Sequence, residues 1–419
     1  MEVSTRRKKL LQGVSRTREV PDRRPGERFQ EMSMATTEWK ETTLGDVCLV
    51  ESGGTPSTAN NTYWSGSVSW ITPRDLASHE GRWIEQGEKN ITEEGLRNSS
   101  ARLLPKNTVL FSSRAPIGYV AIAARELATN QGLKNLVCDE KETHYKFIYY
   151  WLKANVHAIE RRASGSTFAE ASATVMKTQE VLLPPLDEQR SIATVLSSLD
   201  DKIELLRRQN ETLEQIAQAI FNEWFVKPTS KRVPLRELVE FNPATPLKKG
   251  TVAAYFDMGA LPTVGSWPEE PIQRPFGSGA KFQNGDTLLA RITPCLENGK
   301  TAFVQRLKNG EVAWGSTEFI VIRPNSPLPP TFGYLLARNP SFRDFTIRAM
   351  TGTSGRQRVQ VDMLLEYEVS MPSDDVISEF SHAVEVIFSK IKNNAEQADT
   401  LAATRDALLP RLMSGEIRV

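Results

Sequence analysis

The chain has 419 residues, 39% of them apolar and 25% charged, with a net charge of +1. That length points to two or three domains, and the near-neutral total excludes a uniformly basic nucleic-acid binder, so any such contact must rest on local basic patches. No run of about 18 apolar residues exists to span a membrane; three cysteines (Cys48, Cys138, Cys295) and four histidines, all scattered, give no metal-ligand spacing and suit a reducing cytoplasm.

Residues 1–37 form a basic tail. Its first 30 residues hold nine Arg and Lys against four Asp and Glu, with no apolar core of a secretory signal. The composition predicts disorder open to phosphate contact. The alternative is an over-extended start, with translation beginning at Met32 or Met34. From 38 to 185, apolar alternation and Gly, Pro and Asn turn signals predict a β-rich, mixed α/β domain, with strand-like runs such as Asn107-Thr-Val-Leu-Phe-Ser. Residues 186–226 predict a long helix. Residues 227–373 predict a second domain of the same kind, with Phe319-Ile-Val-Ile as a strand, and 374–419 a second helix.

The two halves are one plan written twice. Leu44-Gly-Asp-Val begins the first and Leu235-Arg-Glu-Leu-Val the second. Lys106-Asn-Thr-Val-Leu-Phe-Ser-Ser-Arg114 aligns with Gln283-Asn-Gly-Asp-Thr-Leu-Leu-Ala-Arg291. Glu180-Val-Leu-Leu-Pro-Pro aligns with Glu368-Val-Ser-Met-Pro-Ser, and that offset holds without a gap through both helices.

In the first helix the apolar residues Ile192, Leu196, Leu199, Ile203, Leu206, Leu213, Ala217, Ile220 and Trp224 recur at alternating spacings of four and three, with Asn210 in the gap. The second repeats the stripe from Phe380 to Leu412, with Asn394 and Arg405 as polar members. A 3.5-residue period keeps one stripe facing a partner helix, which marks a coiled-coil seam; the alternative is a core helix on a sheet. In an antiparallel pair aligned on Ile192 and Leu412, Asn210 faces Asn394. A parallel pair leaves Asn210 opposite Ala398, and an unpaired buried amide costs roughly 1–3 kcal/mol. The fold class is therefore α+β: two similar β-rich domains separated by two long helices in an antiparallel coiled coil, with pseudo-two-fold symmetry. About 38 residues at ~1.5 Å each make a rod of roughly 57 Å, the length of about 17 base pairs. Such a ruler suits two half-sites on duplex DNA or, alternatively, two protein partners.

Catalytic signatures are missing. Gly299-Lys-Thr301 ends like a phosphate loop, but Pro294 stands where its first glycine is needed. Neither Asn242-Pro-Ala nor Leu183-Pro-Pro-Leu supplies the Asn-Pro-Pro-aromatic of an amino-methyltransferase, and no H-E-x-x-H or G-x-S-x-G occurs. Glu188 belongs in a first helical turn, where a negative charge meets the helix dipole.

Leu183-Pro-Pro-Leu-Asp-Glu-Gln-Arg-Ser-Ile192, leading to Ile220-Phe-Asn-Glu-Trp-Phe225, resembles the central conserved region of type I restriction-modification specificity (S) subunits. Leu408-Leu-Pro-Arg-Leu-Met-Ser-Gly-Glu-Ile417 resembles their distal conserved region. Trp39-Lys-Glu-Thr-Thr-Leu-Gly-Asp-Val, Ser52-Gly-Gly-Thr-Pro-Ser and Tyr63-Trp-Ser-Gly-Ser-Val-Ser-Trp-Ile resemble the opening of a target recognition domain, and Ile292-Thr-Pro-Cys-Leu-Glu-Asn-Gly-Lys300 a recurrent piece of the second. The resemblance covers about 38–419. It implies two recognition domains that each read half of a split site in double-stranded DNA, and helices that set the spacer and dock two methyltransferase (M) subunits. It also implies nuclease-translocase (R) subunits in the full complex. No cofactor is expected in this chain; S-adenosylmethionine, ATP and Mg belong to the partners.

Base edges take forked or amide donors, and phosphates take Lys, Arg, Ser and Thr. The candidate DNA contacts are Arg74, Ser112, Ser113, Arg114, Thr129, Asn130, Gln131, Ser166 and Thr167 in the first domain. In the second they are Arg291, Lys300, Ser316, Thr317, Ser354, Arg356, Gln357 and Arg358, with the loop Gly352-Thr-Ser-Gly-Arg-Gln-Arg358 foremost as the most basic flexible one.

Overall fold

The computed structural model describes residues 39–79, 81–114, 116–163, 169–227, 231–353 and 355–419. The expectations for the tail 1–37 and for Ser166, Thr167 and Ser354 fall outside these residues.

Each half opens and closes on one short antiparallel ribbon: Lys40–Thr43 with Glu180–Leu183, and Arg232–Pro234 with Glu368–Ser370. The ribbon ties a domain's two ends together, so the following helix leaves from a fixed point. The main sheet of the first domain runs in the order Cys48–Ser52, Leu133–Cys138, Val109–Ser112, Val120–Ala123, Trp83–Ile84. In the second domain Val239–Phe241, Phe319–Pro324, Thr287–Ala290 and Thr301–Phe303 take the first four of those places. A further sheet accompanies each, of three strands in the first domain and four in the second, and in both a parallel pairing marks the repeat: Trp70 opposite Ala128, Tyr255 opposite Trp314.

Strand register corrects the alignment of Lys106–Arg114 with Gln283–Arg291 by one residue. Asn107 and Gly285 hold the same left-handed turn position, with φ of 72° and 92°. Their N–H groups donate to matching carbonyls, Ala123 at 2.9 Å and Val304 at 2.8 Å. Ser113 therefore stands where Arg291 does, and Arg114 where Ile292 does. A one-residue slip turns every side chain to the opposite face. Here the sequence could not fix the phase, because these central strands are buried on both faces: Val109, Leu110 and Phe111 are all inaccessible, as are Leu288, Leu289 and Ala290. The sheet also joins two cysteines distant in sequence. Cys48 pairs with Cys138 across the strands, sulfur to sulfur 3.5 Å, both as free thiols.

The central helix spans Leu186–Phe221 and the distal helix Asp374–Met413. They run antiparallel. Ile192 and Leu196 share a core with Leu409, Leu412 and Met413; Ile203 and Leu206 meet Ala398 and Leu401; Ala217 and Phe221 join Phe380, Val384 and Ile391. Asn394 is buried, and its Nδ2 donates to Asn210 Oδ1 at 2.9 Å, while Asn210 Nδ2 donates to the Ile391 carbonyl at 3.0 Å. The seam broadens toward the ends. Phe221 and Phe225 are buried where the spacing pointed to Ile220 and Trp224, because the second domain covers that flank and packs Phe332 against both rings, at 5.5 and 5.1 Å between centroids. A pure two-helix seam is confined to the middle; at either end the helices serve as core helices of a domain.

Glu188 lies in the first turn of the central helix, and both Trp39 Nε1 and Arg418 Nη1 donate to its Oε2, at 3.0 and 3.3 Å. This knot joins the start of the first domain, the start of one helix and the end of the other.

Candidate nucleic-acid interface

In the first domain the strand ends converge. Gly54 N–H donates to Thr129 O (2.8 Å), Asn130 N–H to Ile71 O (2.9 Å), Ser113 N–H to Gly132 O (2.8 Å), and Ala171 N–H to Ser113 O (2.9 Å). The glycines of Ser52-Gly-Gly-Thr permit this approach: a Cβ on Gly53 would lie 2.0 Å from the Asn130 carbonyl oxygen. The second domain is knitted alike, with Arg291 N–H to Glu318 O (3.0 Å), Thr293 N–H to Gln357 O (3.1 Å) and Val359 N–H to Arg291 O (3.0 Å). Each domain thus gathers its candidate residues into one loop cluster.

Several of those residues turn inward, which corrects their reading as DNA contacts. The hydroxyl of Ser112 donates to the Pro116 carbonyl, and that of Ser113 to the Gly132 carbonyl, both side chains being buried. Thr129 is buried and accepts from Asn135 Nδ2 at 2.8 Å. Asn130 Oδ1 caps the Gly132 N–H at 2.9 Å. In the second domain Lys300 Nζ donates to the Met258 carbonyl at 2.8 Å, and the Ser316 hydroxyl accepts from Glu318 N–H at 3.1 Å. These residues shape loops: short hydroxyls and amides there satisfy the polar backbone of tight turns.

The outward set is smaller. Arg74, Thr317 and Arg356 are exposed and have no side-chain partner among the described residues. Gln131 is exposed and accepts from the Thr55 hydroxyl. Gln357 is half-buried and is tied in through its backbone carbonyl.

Three arginines are pinned, Arg114 exposed and Arg291 and Arg358 half-buried. Arg114 Nε donates to Glu170 Oε2 at 2.9 Å, while buried Lys134 Nζ reaches Glu170 Oε1 at 3.1 Å. Arg291 Nε donates to Glu318 Oε2 at 3.2 Å. Arg358, at the end of the loop expected to be freest, grips Glu318 bidentately through Nε at 2.9 Å and Nη2 at 2.7 Å. The bonds from Arg358, and then from Arg291, hold the Glu318 carboxyl below its ordinary pKa against partial burial. At Glu170 burial pushes upward, and Lys134 and Arg114 outweigh it. Neither glutamate stands out in the sequence, because an acid repels phosphate and gives no DNA-binding signal of its own.

Residues 36–215 match the family model of the type I restriction modification DNA specificity domain. Over 91% of its length the chain is 31% identical to the type I restriction enzyme MjaIX specificity subunit of Methanocaldococcus jannaschii, covering 97% of that protein. The chain belongs to the type I restriction enzyme specificity subunits. It is also 22% identical to the HindI specificity subunit of Haemophilus influenzae, over 91% of this chain and all of that one. The crystal structure of the type I S subunit from M. genitalium shares the fold, with a TM-score of 0.53 at 17% identity, over 91% of this chain and 98% of that one. The family model ends within the central helix; the internal repeat extends the same specificity-subunit plan through the second domain and the distal helix. Among the described residues of this specificity subunit no helix is long and apolar enough to cross a membrane.

Proposed function

We propose that this specificity subunit is a non-catalytic reader of split sites in double-stranded DNA. Each loop cluster addresses one half-site, and the helix pair sets the spacer and docks two M subunits, which R subunits join in the full complex. S-adenosylmethionine, ATP and Mg serve those partners, in the cytoplasm. The observation that carries this reading is the duplication in space: equivalent loop clusters, each on its own domain, and each domain seated at the opposite end of one antiparallel pair. The central helix has 36 residues and the distal helix 40, which at ~1.5 Å each gives a rod of roughly 54 to 60 Å. The two domains differ in their outward residues, so the half-sites differ.

Long-read methylome sequencing of a host carrying the M and S subunits tests this. A split methylated motif is expected, lost when the chain is deleted. Replacing residues 38–183 with another recognition domain should change one half of the motif only. Loss of both halves together, or no duplex binding at all, would favour the scaffold reading.

Arg74 and Arg356 are unpinned cations suited to phosphate. Arg74→Ala and Arg356→Ala should each weaken binding of the assembled complex to cognate and unrelated duplexes alike. Each should also lower the salt-dependence slope by about one. Gel-shift titration over a salt series reads both, and an unchanged slope would remove that residue from the contact surface.

A further inference from the structure

Both recognition domains carry the same device built from different positions. In the first, the carboxylate is Glu170 and the arginine Arg114. In the second, the carboxylate is Glu318, which stands where the first domain has Gly132. Its arginines are Arg291 and Arg358, at the places of Ser113 and Glu170. The strand bonds fix these equivalences: Ser113 N–H to Gly132 O matches Arg291 N–H to Glu318 O, and the bridge of Arg114 with Glu170 matches that of Ile292 with Arg358. The charges have exchanged positions, yet an outward arginine held through Nε by a glutamate recurs at the same end of each domain.

The manner of holding matters. Bonding through Nε leaves the Nη1 and Nη2 fork unengaged, and neither Arg114 nor Arg291 has another side-chain partner among the described residues. Their side chains stay 48% and 32% exposed. A free arginine binds phosphate and base edges alike and must give up its rotamer freedom to do either. A glutamate at its Nε changes the balance in two ways. It fixes the plane of the fork beforehand, and its negative charge opposes a phosphate while leaving a neutral base edge unopposed. The base edge that matches a planar two-donor fork is guanine, through O6 and N7.

We infer that Arg114 and Arg291 each read one guanine, one in each half-site, and that Glu170 and Glu318 are the positioning residues that make them base readers. This rests on the split-site reading above. Arg74 and Arg356, with no such carboxylate among the described residues, supply affinity without sequence preference.

The test uses the complete M and S complex in a host, with methylome sequencing of Arg114→Lys, Glu170→Gln, Arg291→Lys and Glu318→Gln. Lysine keeps the charge and can still pair with the glutamate, but it has no fork. Arg114→Lys should relax a single guanine in one half-site, with discrimination falling on the order of 10- to 100-fold, and Glu170→Gln should relax the same position. Arg291→Lys and Glu318→Gln should do so in the other half-site. Non-specific binding in gel shifts should stay equal or rise for the two Glu→Gln variants, because a negative charge has been removed; a purely structural ion pair would instead lower melting temperature and methylation at every motif position together. A split motif with no guanine in one half would overturn the assignment for that arginine, as would lysine variants that keep every base preference. A wild-type complex with no split motif would defeat the split-site reading itself, so the two failures are distinguishable.

Discussion

Arg82→Ala is expected to destabilise the first domain's seat on the helices by about 3 kcal/mol, the lower end of what breaking a buried ionic cluster costs. Arg82 is 6% exposed. Its Nη1 donates to the Tyr150 hydroxyl at 3.2 Å and lies 3.7 Å from Asp200, and its Nη2 pairs with Asp201. Tyr150 in turn donates to Asp200 at 2.6 Å, and Arg405 from the distal helix reaches the other Asp200 oxygen at 2.6 Å. Burial, and then the Asp200 charge, push the Tyr150 hydroxyl far above its usual range, so it keeps its proton and serves as a donor. Removing Arg82 leaves Asp200 with one cation instead of two, which places the cost at the low end. The measurement is hydrogen exchange across Tyr145–Arg162, the first domain's helix against the central helix, together with the first thermal transition. Faster exchange should be confined to that domain, and a transition within about 0.5 kcal/mol of wild type, the range of an ordinary surface change, would sink the idea. The second domain provides an internal control. Ser266 holds the place of Arg82, its carbonyl accepting from Phe303 N–H at 2.9 Å as Arg82's accepts from Ile122 at 2.8 Å. Tyr334 there packs on Phe388, 5.7 Å between centroids, donates to Glu214 of the central helix at 2.7 Å and accepts from Arg338 Nε at 3.1 Å, so the cluster at that end draws its arginine from another position. The repeat has therefore kept a tyrosine, a central-helix carboxylate and an arginine at each seat while moving the arginine from the place of Arg82 to Arg338, and Ser266→Ala should leave that end unmoved.

How much the sequence disclosed follows the physics of each element. Helix orientation and register were legible because a seam tolerates few polar residues, and Asn210 and Asn394 constrain each other across it. The starts of the two long helices, at Leu186 and Asp374, were legible from the repeat that holds its offset through them. The phase of the central strands was not: a strand buried on both faces, such as Val109–Ser112, has no alternation to read. The loop clusters were legible as places and only partly as residues. Ser113, Thr129 and Lys300 have the same chemistry whether they bind a phosphate or a backbone carbonyl, and only the fold decides which. Glu170 and Glu318 were invisible for the opposite reason: their role is exerted on other side chains, so their own chemistry argues against it. The cysteines show the same limit, since sequence distance hid the cross-strand contact of Cys48 with Cys138.

The asparagine pair gives the second large effect. Asn394→Leu removes the donor to Asn210 Oδ1 and places an apolar side chain against a polar one in the middle of the seam. A buried acceptor left unpaired costs about 1–3 kcal/mol, partly offset because Asn210 keeps its own bond to the Ile391 carbonyl at 3.0 Å. A loss of about 2 kcal/mol is expected. The double variant Asn210→Leu/Asn394→Leu removes both polar partners and continues the leucine-rich stripe of Leu206, Leu213 and Leu401, so it should recover to wild-type stability or above. The two changes are then strongly non-additive, with a coupling inside the range of about 0.5–3 kcal/mol seen for contacting residues. In a free coiled coil such a double change also loosens register. Here it should not, because a one-heptad slip would pull Phe221 and Phe380 out of the second domain's core and Leu412 out of the first's. Urea unfolding of the four proteins in the cycle supplies the energies. Unchanged interhelical crosslinking between cysteines placed at positions 206 and 398, which face each other across the seam, would show that register is kept. If the double variant is as unstable as the sum of the singles, the amides do not act as a pair, and the register of this rod is set by its domains alone.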